Sequence, residues 1–369
     1  MAMSFTLPGQ DGLARLGKLV LKGIEIETPV FMPVGTLGTV KGITNEQIRE
    51  TGSRLILGNT YHLALRPGAD LVHSLGGLHR FMNWDGAILT DSGGFQIFSL
   101  AHDCRIDDHG ASFRSHIDGT FLELTPEKAV EIQEKLGSDI AMCLDECPPY
   151  GCHKEKLETA VKRSILWASR CRQAARSTEQ SLFAIVQGAT DLSLREFCAK
   201  KMSALDFPGY ALGGFSVGET PEQMAAVLAE SASFLPENKP RYLMGVGRPQ
   251  DLLNGIQAGI DMFDCVMPTR NARNGTGFIP AGKIKLKNAV HRGDETPLDS
   301  ECPCLACTRH TRAYLHHLFQ AEEMLGPILL TIHNLTYYGT LMAQSRAAIQ
   351  EGRFESFRRD CLARMNGGA

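Results

Sequence analysis

Short apolar or β-branched runs alternate with longer stretches of helical period along most of the chain, a rhythm that predicts repeated βα units. Eight runs read as strands: Val30–Val34, Arg54–Asn59, Ala87–Asp91, Asp139–Asp145, Leu182–Gln187, Tyr210–Gly214, Arg241–Val246 and Ile260–Cys265. Helical patterns follow seven of them at about 44–51, 67–76, 126–137, 154–176, 191–205, 221–233 and 248–257. Thr125-Pro126-Glu127 and Thr220-Pro221-Glu222 carry a capping hydroxyl followed by proline and an acid, which marks two helix starts. The eighth helix is deferred. A segment rich in Gly, Cys and basic residues follows Cys265, and a long helical pattern returns only near 327–351. Setting aside roughly 65 inserted residues from about 29–351 leaves about 258, close to the ~250 of a closed (β/α)8 barrel.

The expected fold class is therefore α/β, a (β/α)8 TIM barrel with an N-terminal β-hairpin and a cysteine-bearing subdomain, zinc-binding by its cysteine spacing, inserted after strand 8. The boundaries fall at 1–28 for the N-terminal segment, 29–265 for the eight strands and seven helices, 266–330 for the insertion and 331–369 for the closing helix and tail. An open doubly wound sheet would show the same alternation, but a count of eight and the lack of a GxGxxG fingerprint favour closure. Gly12-Leu-Ala-Arg-Leu-Gly17-Lys18-Leu19 only grazes a P-loop, since it lacks the Ser or Thr and a preceding buried strand. Phe113–Leu124, with Asp118-Gly119 between alternating residues, reads as a hairpin inserted after the third strand.

Composition changes this picture in two places. With 43% hydrophobic and 21% charged residues and a net charge of -3, the chain is an ordinary soluble globular one. No run is long enough for a membrane helix and no leader is visible, so the expected compartment is the cytoplasm. The near-neutral charge is unevenly spread. Residues 265–320 are net +4 and the remainder -7, so the inserted segment carries a basic face. Eleven cysteines, one tight cluster apart, are scattered, which in a reducing compartment points to thiols and a metal site.

Barrel active sites lie at the C-terminal ends of the strands, and there the chain is polar. Three strands finish on aspartate (Asp91, Asp145 and Asp264), another ends on Gln187, and Gly213-Gly214 and Gly245 leave room for a flat ligand. One such aspartate is ordinarily a helix cap. Three converging on one face suit substitution at an anomeric carbon, one carboxylate attacking, another handling the leaving group's proton and a third reading the donor edge of a base. Cys302-Pro-Cys304-Leu-Ala-Cys307 supplies three thiolates for a tetrahedral zinc, with His310, His316, His317 and His333 downstream as candidates for the fourth ligand. Arg270, Arg273 and the alternating Lys283, Lys285 and Lys287 read either as phosphate contacts or as a solvated, lysine-guarded edge strand.

Five ordered motifs and the cysteine cluster together resemble the tRNA-guanine transglycosylase family over nearly the whole chain. They are Asp91-Ser92-Gly93-Gly94-Phe95-Gln96, Leu144-Asp145-Glu146-Cys147, Gly213-Gly214-Phe215-Ser216-Val217-Gly218-Glu219, Tyr242-Leu243-Met244-Gly245-Val246-Gly247 and Asp261-Met262-Phe263-Asp264-Cys265-Val266-Met267-Pro268-Thr269-Arg270. The resemblance implies a zinc-containing barrel that exchanges a guanine of tRNA for a 7-deazaguanine, without ATP or a redox cofactor. It makes Asp264 the nucleophile on C1′ and Asp91 the acid/base. Asp145, Gln187, Gly214 and the backbone of Phe215 would hold the base between Phe95 and Met244, with Ser92, Cys147, Ser216, Val217, Glu219 and Gly245 around it. Zinc would sit on Cys302, Cys304, Cys307 and His333. The chain stops soon after its last helical pattern, so the shorter bacterial-type enzyme is implied, a homodimer acting on the wobble guanine of GUN anticodons in queuosine biosynthesis. The stretch Gly213–Glu219 mixes bacterial and eukaryotic patterns and places Phe215 where neither has it. Val217 makes preQ1 the expected incoming base, with queuine the alternative.

Overall fold

The computed structural model describes residues 2–100 and 102–367. Eight parallel strands form the central sheet: Val30–Met32, Leu55–Gly58, Ala87–Thr90, Ile140–Met142, Ser181–Val186, Gly209–Leu212, Arg241–Leu243 and Met262–Asp264. From the second strand to the eighth each pairs with its successor in the chain, and the eighth returns to the first, setting Met262 opposite Val30 and Asp264 opposite Met32. The ring closes at Leu57, whose amide donates to the Pro33 carbonyl at 2.9 Å and whose carbonyl accepts from Gly35 at 2.7 Å. The barrel expected from the alternation is therefore the observed fold. Its strands are shorter than the apolar runs because the chain leaves the ladder a residue or more before most of the polar ends, Asp264 alone among the three aspartates remaining paired.

Strand period sorts the side chains into two cores. Met32, Val34, Leu55, Leu57, Ala87, Leu89, Ile140, Met142, Phe183, Ile185, Ala211, Tyr242 and Met262 fill the barrel interior, while their neighbours Phe31, Ile56, Ile88, Ala184, Leu212 and Phe263 face the helices. The helices start where their caps lie. Thr44 and Thr220 form capping boxes with Gln47 and Gln223, and Thr125 and Asp191 accept from the third helical amide. Asn45–Glu50, Pro126–Leu136, Lys154–Ala174, Leu192–Ser203, Pro221–Ser233 and Pro249–Gln257 match the helical patterns closely.

Three segments differ from expectation. The N-terminal hairpin is a three-stranded antiparallel sheet, Met3–Asp11, Ala14–Leu21 and Ile24–Thr28, because Lys22 and Gly23 both take positive φ and turn the chain back once more. Its Leu19, Leu21 and Ile26 plug the N-terminal end of the barrel, held there by Arg15–Asp261 at 3.2 Å and Lys22–Asp139 at 3.3 Å. The single helix expected at 67–76 is replaced by three short ones, Thr60–Leu65, Ala69–Ser74 and Gly77–Met82, separated by Pro67-Gly68 and by Gly76-Gly77 with φ of +92° and +82°. The inserted hairpin, Ala111–Arg114 with Phe121–Leu124, gains a third strand, His102–Ile106.

After the eighth strand come a helix Met267–Arg273, a hairpin Thr276–Ile279 with Gly282–Lys285, and short helices Leu305–Arg309 and Arg312–Gln320. The long helix Leu325–Gln350 then packs against the barrel, and Phe354–Gly367 ends the described chain. Among the described residues no helix is long and apolar enough to cross a membrane.

Candidate active site

Continuing the inward parity of the strands by one step predicts which residues meet at the C-terminal mouth. Leu57 leads to Asn59, Leu89 to Asp91, Ile185 to Gln187, Ala211 to Gly213, Tyr242 to Met244 and Met262 to Asp264. All six line one cavity of about 300 Å³, together with Asp145, Cys147, Ser92, Phe95, Gly214, Phe215, Ser216, Val217, Gly245 and Arg270. Asp145 breaks the parity because its strand ends at Met142, and the loop beyond brings it in.

The three carboxylates are held differently. Asp91 accepts on both oxygens, from the Thr60 amide at 2.8 Å on Oδ1 and from Gln96 at 2.8 Å and Asn59 on Oδ2. Burial pushes its carboxyl up to about 6 against the bonds from Asn59 and Thr60, and the charge of Asp264 adds to the rise. Asp264 accepts twice on a single oxygen, Oδ1, from the Tyr242 hydroxyl at 2.6 Å and the Gly245 amide at 2.8 Å. Burial raises its carboxyl too, and raises the Tyr242 phenol well above its ordinary range, so Tyr242 remains a donor. Asp145 accepts from Gln187 at 2.6 Å and Ser92 at 3.2 Å, and burial lifts it to about 6.

Glycine is required where the walls touch. A Cβ on Gly213 would lie 2.6 Å from Gln187 Nε2, and one on Gly214, at φ +69°, 2.4 Å from Gln187 Oε1. That Oε1 is buried and takes no hydrogen bond among the described residues. Glu219 accepts from the Ser216 amide and from the Val217 amide at 3.1 Å, fixing the loop while Ser216 holds a positive φ of 59°. Phe95 is 52% exposed, which leaves its ring free to stack at the mouth. The Cys147 thiol is pushed up to about 12 by burial and by Asp145, so it stays protonated. Phe215 lines the cavity, but its ring is buried and stacks on Arg195.

Sequence reading missed Asn59, Gln96, Tyr242 and Arg195 as working groups. The first three carried a signal, since Asn59 ends a predicted strand and Gln96 and Tyr242 stand inside two of the motifs. Arg195 carried none, being one arginine among the charged residues of an ordinary helical pattern.

A second cluster lies outside the barrel. The ligand atoms of Cys302, Cys304, Cys307 and His333 all fall within 4.8 Å of one another, as a single metal ion requires. His333 Nε2 meets the Phe278 carbonyl at 2.8 Å, which can only accept, so Nε2 carries the proton and Nδ1 turns its lone pair to Cys307 at 3.2 Å and Cys304 at 3.6 Å. His316 is buried elsewhere, its Nδ1 bound to the Leu286 carbonyl at 2.7 Å. On the hairpin the alternation holds, with Lys283, Lys285 and Lys287 exposed and Ile284 and Leu286 buried. Arg270 and Arg273, both exposed, extend the same basic region from the preceding helix, and Arg270 reaches the cavity.

The fold and the mouth define a carboxylate-bearing (β/α)8 barrel enzyme with a separate cluster of three thiols and an imidazole that could hold a metal ion. Residues 11–367 match the family described as queuine tRNA-ribosyltransferase. The chain is 54% identical to the queuine tRNA-ribosyltransferase of Desulforamulus reducens, with 96% of each chain covered. It is 53% identical to that of Pelotomaculum thermopropionicum over the whole of both chains, and 49% identical to that of Vibrio cholerae over 99% of this chain and 97% of the other. The protein belongs to the queuine tRNA-ribosyltransferase family.

Proposed function

We propose that the protein replaces the wobble guanine of tRNA anticodon loops with a 7-deazaguanine, preQ1 foremost, by double displacement. The observation that carries this reading is the unequal hydrogen bonding of Asp264 and Asp91. Among the described residues both bonds to Asp264 fall on Oδ1, which leaves Oδ2 to attack C1′ as the C1′–N9 bond breaks and a ribosyl ester forms. Asp91, with its carboxyl near 6, gives its proton to the departing guanine. The incoming base returns a proton to Asp91 as its N9 attacks C1′ and Asp264 leaves. Protons balance, one glycosidic bond replaces another, and two inversions give retention.

The base would lie between Phe95 and Met244, its N1–H and amino group on the Asp145 carboxylate and its O6 facing the Gln187 amide and the Gly214 N–H. An anticodon loop suits such a cavity because its unpaired base leaves the stack at small cost. Arg270, Arg273, Lys283, Lys285 and Lys287 would meet phosphates around it. Zinc is the ion that fits three thiolates and one imidazole, and with four protein ligands it would cross-link the insertion without an open position for water.

The direct test loads labelled guanine into an anticodon stem-loop and chases it with preQ1. Label displaced by the base supports exchange, whereas continued release beyond one equivalent per protein with no acceptor present would mean hydrolysis. The acid role of Asp91 has its own signature. Single-turnover guanine release should fall as pH rises through about 6, because the protonated acid is lost. Asn59→Ala should move that midpoint upward, since the Asn59 hydrogen bond favours the carboxylate. A midpoint indifferent to Asn59 would remove Asp91 from this role.

The choice of base turns on Val217. A β-branched side chain where the 7-substituent leaves the ring fits a small aminomethyl cation and crowds the cyclopentenediol of queuine. Val217→Gly should raise queuine exchange by roughly tenfold or more while keeping preQ1 exchange. Equal use of both bases by the unaltered protein would shift the choice away from Val217.

A further inference from the structure

Arg195, on the helix Leu192–Ser203, is fully buried, yet none of the ion pairs among the described residues includes it. Its guanidinium is held by carbonyls, Ala189 to Nε at 2.6 Å, Gly213 to Nη2 at 2.9 Å and Val186 to Nη1 at 3.4 Å. The remaining face is covered by the Phe215 ring, whose centroid lies 3.7 Å from the guanidinium carbon. A buried cation without a carboxylate is costly, and here the backbone bends to accommodate it. Ala189 takes a positive φ of 48°, and a Cβ on Gly188 would lie 2.7 Å from Arg195 Cγ.

The groups Arg195 binds are the two walls of the cavity. Val186 precedes Gln187 at the end of the fifth strand, and Gly213 precedes Gly214 at the end of the sixth. Glu219 holds the other end of the Gly213–Val217 loop through the Ser216 and Val217 amides. We propose that Arg195, stacked on Phe215, is a positioning residue for the free base, which sets the Gly214 and Phe215 peptides against Gln187 and so governs base affinity without touching the reacting atoms. This rests on the reading of Asp145, Gln187 and Gly214 as the base pocket.

The test compares Phe215→Leu, Arg195→Lys, their double variant and Asp145→Asn in steady-state exchange, with thermal unfolding recorded for each. Phe215→Leu keeps the arginine and the apolar bulk but removes the ring face. It should raise the KM for guanine about tenfold, the size of a desolvated cation–π contact, with kcat and the KM for tRNA within about twofold. Lysine lacks the planar fork whose three nitrogens meet these three carbonyls, so Arg195→Lys should do at least as much, and the double variant should be no worse than Arg195→Lys alone because the pair acts as one unit. If Arg195→Lys does not fold, Phe215→Leu decides. A guanine KM unmoved in Phe215→Leu but raised in Asp145→Asn would overturn the proposal and leave the pocket standing. Equal rises in the KM for guanine and for tRNA would overturn it as a mere packing effect. A guanine KM unmoved in Asp145→Asn would overturn the pocket reading beneath it.

Discussion

Asp264→Asn should exchange guanine at least about 10⁴-fold more slowly than the unaltered protein and form no gel-stable adduct with tRNA. The amide keeps the shape of the carboxylate, and its oxygen can still accept from the Tyr242 hydroxyl and the Gly245 amide, so the walls of the site should not move. What is lost is the anionic Oδ2. An NH₂ group in its place has no available lone pair for C1′ and no charge to stabilise an oxocarbenium-like centre. Stability should be retained, because burial disfavours the charged form at this position and the neutral amide escapes that cost. The measurement is denaturing electrophoresis after incubation with tRNA, alongside initial exchange rates. An adduct that persists undiminished in Asp264→Asn would place the nucleophile elsewhere, Asp91 being the next candidate.

The parts of this site that were legible in the sequence are those that strand geometry dictates. Once eight runs are set as strands, period-two alternation sends Asp91, Gln187 and Asp264 inward at one end, and no long-range contact need be known. Asp145 was legible only as a polar residue after an apolar run, since the loop beyond Met142 and not the strand turns it inward. The N-terminal sheet was half legible. Its apolar alternation is plain, but the third strand depends on Lys22 entering the left-handed region, which lysine does not announce. Arg195 was illegible because its partners are backbone carbonyls at and just beyond the ends of two strands, and carbonyls have no sequence signature. The cysteine–histidine cluster lies between these extremes. Three cysteines within six residues name themselves, whereas the choice of His333 over His316 depends on which imidazole the long helix turns toward them. From the residues alone four histidines stood open, and the family resemblance alone singled out His333.

His333→Ala should release the metal and weaken tRNA binding at least about tenfold while leaving guanine binding nearly unchanged, and His316→Ala should keep its metal. His333 and Asn334 tie the long helix Leu325–Gln350 to the helix and the hairpin that carry much of the basic face. The imidazole holds the Phe278 carbonyl, and the Asn334 side chain accepts from the Phe278 amide at 3.0 Å and donates to the Pro268 carbonyl at 2.9 Å and the Thr276 carbonyl at 3.1 Å. Pro268 belongs to the helix that bears Arg270 and Arg273, and Phe278 to the hairpin that bears Lys283 and Lys285. With the metal gone, Cys302, Cys304 and Cys307 lose their link to the long helix, and these cations lose their common geometry. Electrostatic affinity for a polyanion then falls, because contacts no longer registered to successive phosphates release fewer counterions. Asp145, Gln187 and Gly214 follow other strands, and among the described residues no hydrogen bond or ion pair links them directly to the cluster. Metal content by atomic absorption and tRNA binding by gel shift decide the matter. One zinc per chain retained in His333→Ala and lost in His316→Ala would transfer the fourth ligand to His316, and guanine binding lost in step with tRNA binding would show that the cluster supports the whole barrel mouth.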